Sequence, residues 1–302
     1  MEIPKDNYKS EQYKIADLYF EVRTPRQIDQ TRLLPSFQDF RVCNGQETPV
    51  SIVTLMVLNA VDETSPGHLL SNTSEVWGDH FQFYETPSGY TTFLQRDADL
   101  GIWRMDSNRD FSHAVIRMHA GNKEPQDVLS WLLMLNYGQA CLKHQAVLLH
   151  ASVVECKDKA VAFLGPSGTG KSTHSKMWLS HIQGTNLLND DNPAVRVLAD
   201  GSVRIYGTPW SGKTPCYIAK SAGLSALVRI KQAKANQISP KTGMHALTCV
   251  LPSCTAIRWN RVLFNKMADT LEAIIQKVQI AELECLPDAE AAHICYKATL
   301  NT

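Results

Sequence analysis

The chain has 302 residues, 44% hydrophobic and 20% charged, a composition that suits two globular domains with sizeable cores and excludes wholesale disorder. Thirty Lys and Arg balance thirty Asp and Glu, so no global basic field favours nucleic acid or an anionic membrane surface. The eight cysteines lie scattered without a C-x-x-C pair, which signals neither a zinc site nor a disulfide framework. The polar start, Met1-Glu-Ile-Pro-Lys-Asp6, lacks the apolar region of a signal peptide, and no stretch reaches 18 uninterrupted apolar residues. A cytoplasmic protein with reduced thiols is the expectation.

Residues 1–122 read as a β-rich domain. Segments 13–22, 50–61, 79–84, 90–95, 101–105 and 113–118 carry aromatic and β-branched residues between Pro, Gly, Asn, Asp and Ser clusters. Glu85-Thr-Pro-Ser-Gly89 reads as a hairpin turn and 106–110 as a loop. Trp77, His80, Phe81, Phe83, Tyr84 and Tyr90 concentrate here, and a packed sheet face explains them better than a binding surface. From 125 to about 145 the period changes to that of a buried amphipathic helix, with Pro125 in its first turn, bridging to a second domain over 123–302. Segment 147–154 follows as one strand, and Lys157-Asp158-Lys159 as a hairpin turn into the next.

That next strand, 160–164, runs into Gly165-Pro166-Ser167-Gly168-Thr169-Gly170-Lys171-Ser172-Thr173, which fits the phosphate-cradling pattern G-x-x-x-x-G-K-[ST]. The glycines allow backbone N–H groups to turn inward around an anion. Lys171 adds a positive charge for the β- and γ-phosphates, Ser172 offers a hydroxyl to Mg²⁺, and the helix beginning here points its free N–H groups at the ligand. That helix runs to 182 and Gly184 ends it.

A short strand, 185–189, then delivers Asp190 and Asp191, 19 and 20 residues after Lys171. One helix, one turn and one strand fill that interval and return the acids to the ligand-binding end of the sheet. Adjacent side chains on an extended chain point to opposite faces, so the two acids divide the labour. Asp190 suits Mg²⁺ and Asp191 proton acceptance from an attacking hydroxyl, and the exchanged assignment stays open. A hairpin over 194–206 leads to Gly207-Thr-Pro-Trp-Ser-Gly-Lys213, where Lys213 is either a second phosphate contact or a solvated lysine on a surface turn. His150, between Leu149 and Ala151, reads from its neighbours as a core histidine more readily than as a catalytic one. Further on, 226–230 and 280–286 read as strands, 231–241 as a basic mobile loop, and 243–251, 262–278 and 288–298 as helices.

Taken together, Leu149-His-Ala-Ser152, the phosphate loop, Leu188-Asn-Asp-Asp191 and Gly207-Thr-Pro-Trp-Ser-Gly-Lys213 make residues 140–298 resemble the HPr kinase/phosphorylase-like family. The P-loop core of that family is shared with phosphoenolpyruvate carboxykinases. The resemblance implies an α/β P-loop domain with a mixed sheet, which in this chain follows the smaller β-rich α+β domain read from residues 1–122. It implies His150 near the transferring phosphate, Lys171 and Ser172 on phosphates and Mg²⁺, and Asp190 and Asp191 as metal-binding and base carboxylates, with Lys213 or His150 steadying charge. The family phosphorylates serine hydroxyls in proteins, peptides or small molecules. The C-terminal Arg-containing signature of true HPr enzymes is missing and residues 1–120 do not resemble their N-terminal domain, so HPr is not the expected substrate. The expectation is an Mg²⁺- and ATP-dependent kinase acting on a hydroxyl, without nucleic-acid or membrane partners and compatible with a homo-oligomer. The rival is an ATP-binding regulatory or peptide-recognition protein without phosphotransfer.

Overall fold

The computed structural model describes residues 7–43, 45, 47–64, 66–73, 80–95, 101–122, 125–212 and 214–300. Its contacts divide the chain into two units, Met1–Cys141 with Ile257–Arg261, and Leu142–Ala256 with Val262–Thr302.

The first unit is built on one mixed sheet. Its strands are β1 (Tyr8–Ile15), β2 (Leu18–Pro25), β3 (Ser51–Leu58), β4 (His68–Ser71), β5 (Phe81–Glu85), β6 (Gly89–Leu94), β7 (Trp103–Asn108) and β8 (His113–His119). They lie in the order β1-β2-β3-β8-β7-β6-β5-β4. β3 runs parallel to both β2 and β8, and the remaining neighbours are antiparallel. A single strand over 13–22 is replaced by the β1–β2 hairpin, because Ala16 and Asp17 both adopt left-handed backbone, with φ of 52° and 57°. Neither residue announces such a turn as Asn-Gly does. Strand β7 also extends through the expected loop as far as Asn108. Phe81, Phe83, Tyr84 and Tyr90 are buried, with Phe83 and Tyr90 ring centroids 5.3 Å apart, as a packed sheet face requires. Trp77 lies outside the described residues.

Two α-helices accompany this sheet among the described residues. Helix α1 (Gln30–Leu33) is one turn, capped by Asp29 accepting from Thr31 N. Helix α2 (Gln126–Ala140) belongs to the first unit, although the sequence boundary at 122 assigns it to the second. Its buried polar groups explain the difference: Asn136 Nδ2 donates to Ser51 Oγ at 2.6 Å and Tyr137 OH to Ile15 O at 2.7 Å, both within the first sheet's surroundings. Hydrophobic periodicity marks a buried face without naming the surface that covers it.

The second unit holds a nine-stranded sheet. Its elements in chain order are β9 (Ala146–Leu148), β10 (Ala151–Cys156), β11 (Lys159–Leu164), α3 (Lys171–His181), β12 (Thr185–Asp191), β13 (Ala194–Val197), β14 (Val203–Tyr206), β15 (Ser221–Gln232), β16 (Gln237–Pro240), α4 (Gly243–Val250), α5 (Arg261–Lys277), β17 (Gln279–Cys285) and α6 (Ala289–Thr299). The order is β12-β10-β11-β15-β14-β13-β9, with β17 beside the second half of β15 and β16 beyond it. β10 is antiparallel to both β11 and β12, while β11, β15 and β17 are parallel. The carboxyl ends of β11, β12, β15 and β17 therefore share one edge.

Two expectations change here. The strand 147–154 breaks at Leu149 and His150: β9 pairs with β13 and β10 with β11 and β12. The backbone at the switch remains satisfied, with Leu149 N donating to Pro193 O and His150 N to Ser253 O. The basic segment 231–241 contains the end of β15 and the edge strand β16 rather than one loop. Lys231 pairs with Glu284 and Lys241 with Glu282 of β17, so cross-strand carboxylates absorb its charge.

The core of this unit sits between the sheet and helices α3 and α6, where Val154, Phe163, Trp178, Val228, Leu283 and Cys295 are all buried. His174 lies within it. Trp178 Nε1 donates to His174 Nε2 at 3.1 Å, and burial lowers the imidazole pKa to about 4. The unfolded chain takes up that proton below about pH 6.5 while the folded chain resists it down to about 4, so stability falls as pH drops across this window. The shift corresponds to roughly 3 kcal/mol. Urea titrations of the native chain and His174→Gln between pH 7 and 4.5 should show a steeper loss for the native chain; parallel curves would refute the assignment.

Candidate functional site

The phosphate loop joins β11 to α3, the strand, loop and helix order that the motif requires. Gly165 has φ 146° and Gly170, at the helix N-cap, φ 102°. A Cβ on Gly165 would also stand 2.7 Å from Thr169 Oγ1, so both shape and space demand glycine there. Lys171 Nζ donates to Gly165 O at 2.8 Å and Pro166 O at 3.2 Å, which draws the buried ammonium into the curl of the loop. Thr169 Oγ1 donates to Pro166 O at 2.8 Å and holds the same turn. Pro166, Ser167 and Gly168 are exposed at its tip, Ser172 is half-buried and Thr173 exposed.

Strand β12 brings both acids to the same edge, and their surroundings differ. Register sets Asp190 directly opposite Ser152 on β10. Ser152 Oγ donates to Asp190 Oδ1 at 2.7 Å and lies 2.6 Å from Ser175 Oγ on α3. Ser152 has one hydroxyl hydrogen and directs it to the carboxylate, so Ser175 donates to Ser152. Ser152 and Ser175 are 1% exposed and Asp190 6%. Asp191, on the opposite face of the strand, is half-buried, and its Oδ1 lies 3.2 Å from His150 Nδ1. Because an ionised carboxylate only accepts, the imidazole presents Nδ1–H to it.

The segment 207–212 is stitched onto this strand. Asn189 Nδ2, fully buried, donates to Thr208 Oγ1 at 3.3 Å and to Trp210 O at 3.1 Å, while Thr208 Oγ1 donates to Asn192 O at 2.7 Å. Gly212 N donates to Asp190 O at 3.2 Å, and Ser211 bridges Asp191 in antiparallel fashion. Lys213 lies outside the described residues. Burial pushes the Cys216 thiol pKa up, and the nearby Asp190 charge pushes it further, which disfavours the thiolate. Among the described residues no three His, Cys, Asp or Glu side chains gather as a metal cluster. No helix there is long and apolar enough to cross a membrane.

The structure sets the phosphate loop, His150, Asp190 and Asp191 at one edge of the sheet and adds two serines that the sequence did not single out as site residues, Ser152 bonded to Asp190 and Ser175 bonded to Ser152. Ser152 stood inside the Leu149-His-Ala-Ser152 motif, and strand pairing alone makes it face Asp190. Ser175 lies one helical turn beyond Ser172, a spacing that puts both hydroxyls on one side of α3.

No family model matches the chain, and no curated protein matches it in sequence. Among solved structures, an HPr(Ser) kinase/phosphatase from Coxiella burnetii aligns over 49% of this chain and 90% of its own, with 10% identity and a TM-score of 0.28. At that identity and score the similarity assigns neither fold nor activity.

Ser152→Ala should cost about 1–3 kcal/mol of stability by leaving Asp190 and Ser175 without their shared partner. In a denaturant double-mutant cycle with Asp190→Ala the cost should shrink. Full additivity would mean that the serine and the acid are uncoupled.

Proposed function

We propose that the second unit transfers the γ-phosphate of ATP to a hydroxyl of serine type, carried by a peptide, a protein or a small molecule. The observation supporting this reading is the half-exposed Asp191–His150 pair at the sheet edge from which the phosphate loop springs. A nucleotide-binding scaffold without transfer has no need of a second, solvent-reachable carboxylate with an orienting imidazole.

The loop amides and the first N–H groups of α3 bind the phosphate oxygens. Lys171 exchanges its contacts with Gly165 O and Pro166 O for the β- and γ-phosphates. Ser172 and Asp190 are hard oxygen donors on the facing sides of α3 and β12, a set that suits Mg²⁺, which takes few protein ligands and completes its shell with phosphate and water. When bound there, the ion neutralises charge on the phosphates. Asp191 takes the proton of the acceptor hydroxyl as its oxygen bonds to the γ-phosphorus. The bond from that phosphorus to the β–γ bridging oxygen breaks, and ADP leaves with the electron pair. His150 fixes the carboxylate that receives the proton.

The test is ³¹P NMR with Mg²⁺-ATP and a panel of free serine, serine peptides and cell-extract metabolites. The native chain should form a phosphoester. Asp191→Ala should hold ATP within about threefold while turnover falls about 10²–10⁴-fold. Tight ATP binding with no phosphoester from any acceptor would favour the sensor reading instead.

A further inference from the structure

Helices α3 and α6 pack against each other over the sheet, and their shared core fixes how they meet. Trp178 of α3 is fully buried, as are Ala292 and Cys295 of α6. The rings of Trp178 and Tyr296 meet edge to face with centroids 5.7 Å apart. Close packing of this kind leaves the two helices little freedom to slide. Outside that core, His181 at the last position of α3 and His293 on α6 are both exposed. Their ring centroids are 6.4 Å apart, with the planes inclined at 54°.

Other histidines of the chain have committed nitrogens. His174 Nε2 accepts from Trp178, His150 Nδ1 meets Asp191, and His119 Nδ1 accepts from Gly121 N. No hydrogen bond or ion pair engages either His181 or His293 among the described residues. Their nitrogens are open to a ligand. A metal–imidazole bond is about 2.0–2.1 Å long, so two rings on one tetrahedral ion have centroids about 5 Å apart. The observed pair is wider by roughly 1 Å, a gap that torsional adjustment of two exposed side chains closes. The last carbonyls of α3 add partial negative charge beside His181, which favours a cation there.

The donors select the ion. Neutral imidazole suits Zn²⁺, Ni²⁺ and Cu²⁺, whereas Mg²⁺ takes oxygen ligands and passes such a pair by. We infer that His181 and His293 form a surface site for a divalent transition-metal ion, which clamps α3 to α6 while water completes its shell. The site is separate from the oxygen donors proposed for Mg²⁺ and stands independently of the phosphotransferase reading. Helix α3 begins at Lys171 and ends at His181. The clamp therefore fixes the far end of the helix whose first turn carries the lysine and hydroxyl of the phosphate loop.

Titration calorimetry of the full chain with Ni²⁺, in excess Mg²⁺ to occupy oxygen sites, should give a Kd on the order of 10 μM. His181→Gln and His293→Gln each keep an exposed polar side chain, and each should weaken that Kd by about tenfold or more. Hydrogen exchange gives a second readout that a lone surface histidine would not move. Bound Ni²⁺ should slow exchange in the last turn of α3 and around His293 in the native chain, and in neither variant. Absence of binding, equal affinity in the native chain and both variants, or dependence on only one of the two histidines overturns the site. Loss of Ni²⁺ in His150→Ala places the ion at the Asp191 edge and overturns it as well. Binding that needs both histidines yet leaves exchange in both helices unchanged overturns the clamp.

Discussion

A buried hydrogen-bond chain from Ser175 through Ser152 to Asp190 is the constraint on which the site depends. It runs from the helix that follows the phosphate loop, across β10, to the strand that carries the acids. A carboxylate 6% exposed survives burial only when its lone pairs are met, and here two hydroxyls donating in series meet one of its oxygens. The same bonds fix α3 against β10 and β12. The position of the first turn of α3, and hence of Lys171 and Ser172, is coupled to the position of Asp190 by side chains with little freedom to move.

Asp190 and Asp191 carry identical chemistry and are set apart by environment. One faces the helix, buried and hydrogen-bonded; the other faces away, half-open and beside His150. Period-two alternation in a strand produces this division with no further device. Segment 207–212 then closes over the outer side of β12, held by Asn189 from within. At Gly212 a Cβ would stand 2.8 Å from Asp190 O, so glycine lets this segment lie against the acidic strand.

The parts of this arrangement legible in the sequence were those that demand particular residue types. A phosphate loop needs its glycines, lysine and hydroxyl, and the interval from Lys171 to Asp190 admits one helix and one returning strand. What stayed hidden depended on partners distant in sequence. The break between β9 and β10 at Leu149 and His150 follows from β13 and Ser253 competing for backbone that composition marks as one continuous strand. The β1–β2 turn forms on Ala16 and Asp17, residues that seldom signal left-handed backbone. Strand β16 reads as part of a charged loop because the residues it pairs with on β17, Glu282 and Glu284, lie more than forty positions away. Helix α2 showed its apolar face, and only Ser51 and Ile15 reveal which sheet that face meets.

The antiparallel strand β10 gives this geometry its scale. Were β12 paired directly with β11, its acids would lie one strand spacing, about 4.8 Å, from the strand that feeds the loop. With β10 between them the spacing doubles. A phosphate group and an attacking oxygen, separated by roughly 3 Å in a reactive alignment, fit in that interval, whereas a single spacing would set the base against the phosphate itself. On the other side of β11 no strand intervenes before β15, and Gly165 lies close enough that a Cβ would approach Ile230 O at 3.4 Å. The loop therefore leans on β15 and stands off from β12. That asymmetry, set by one inserted strand, leaves the space between the loop and Asp191 open to the acceptor hydroxyl of the proposed reaction.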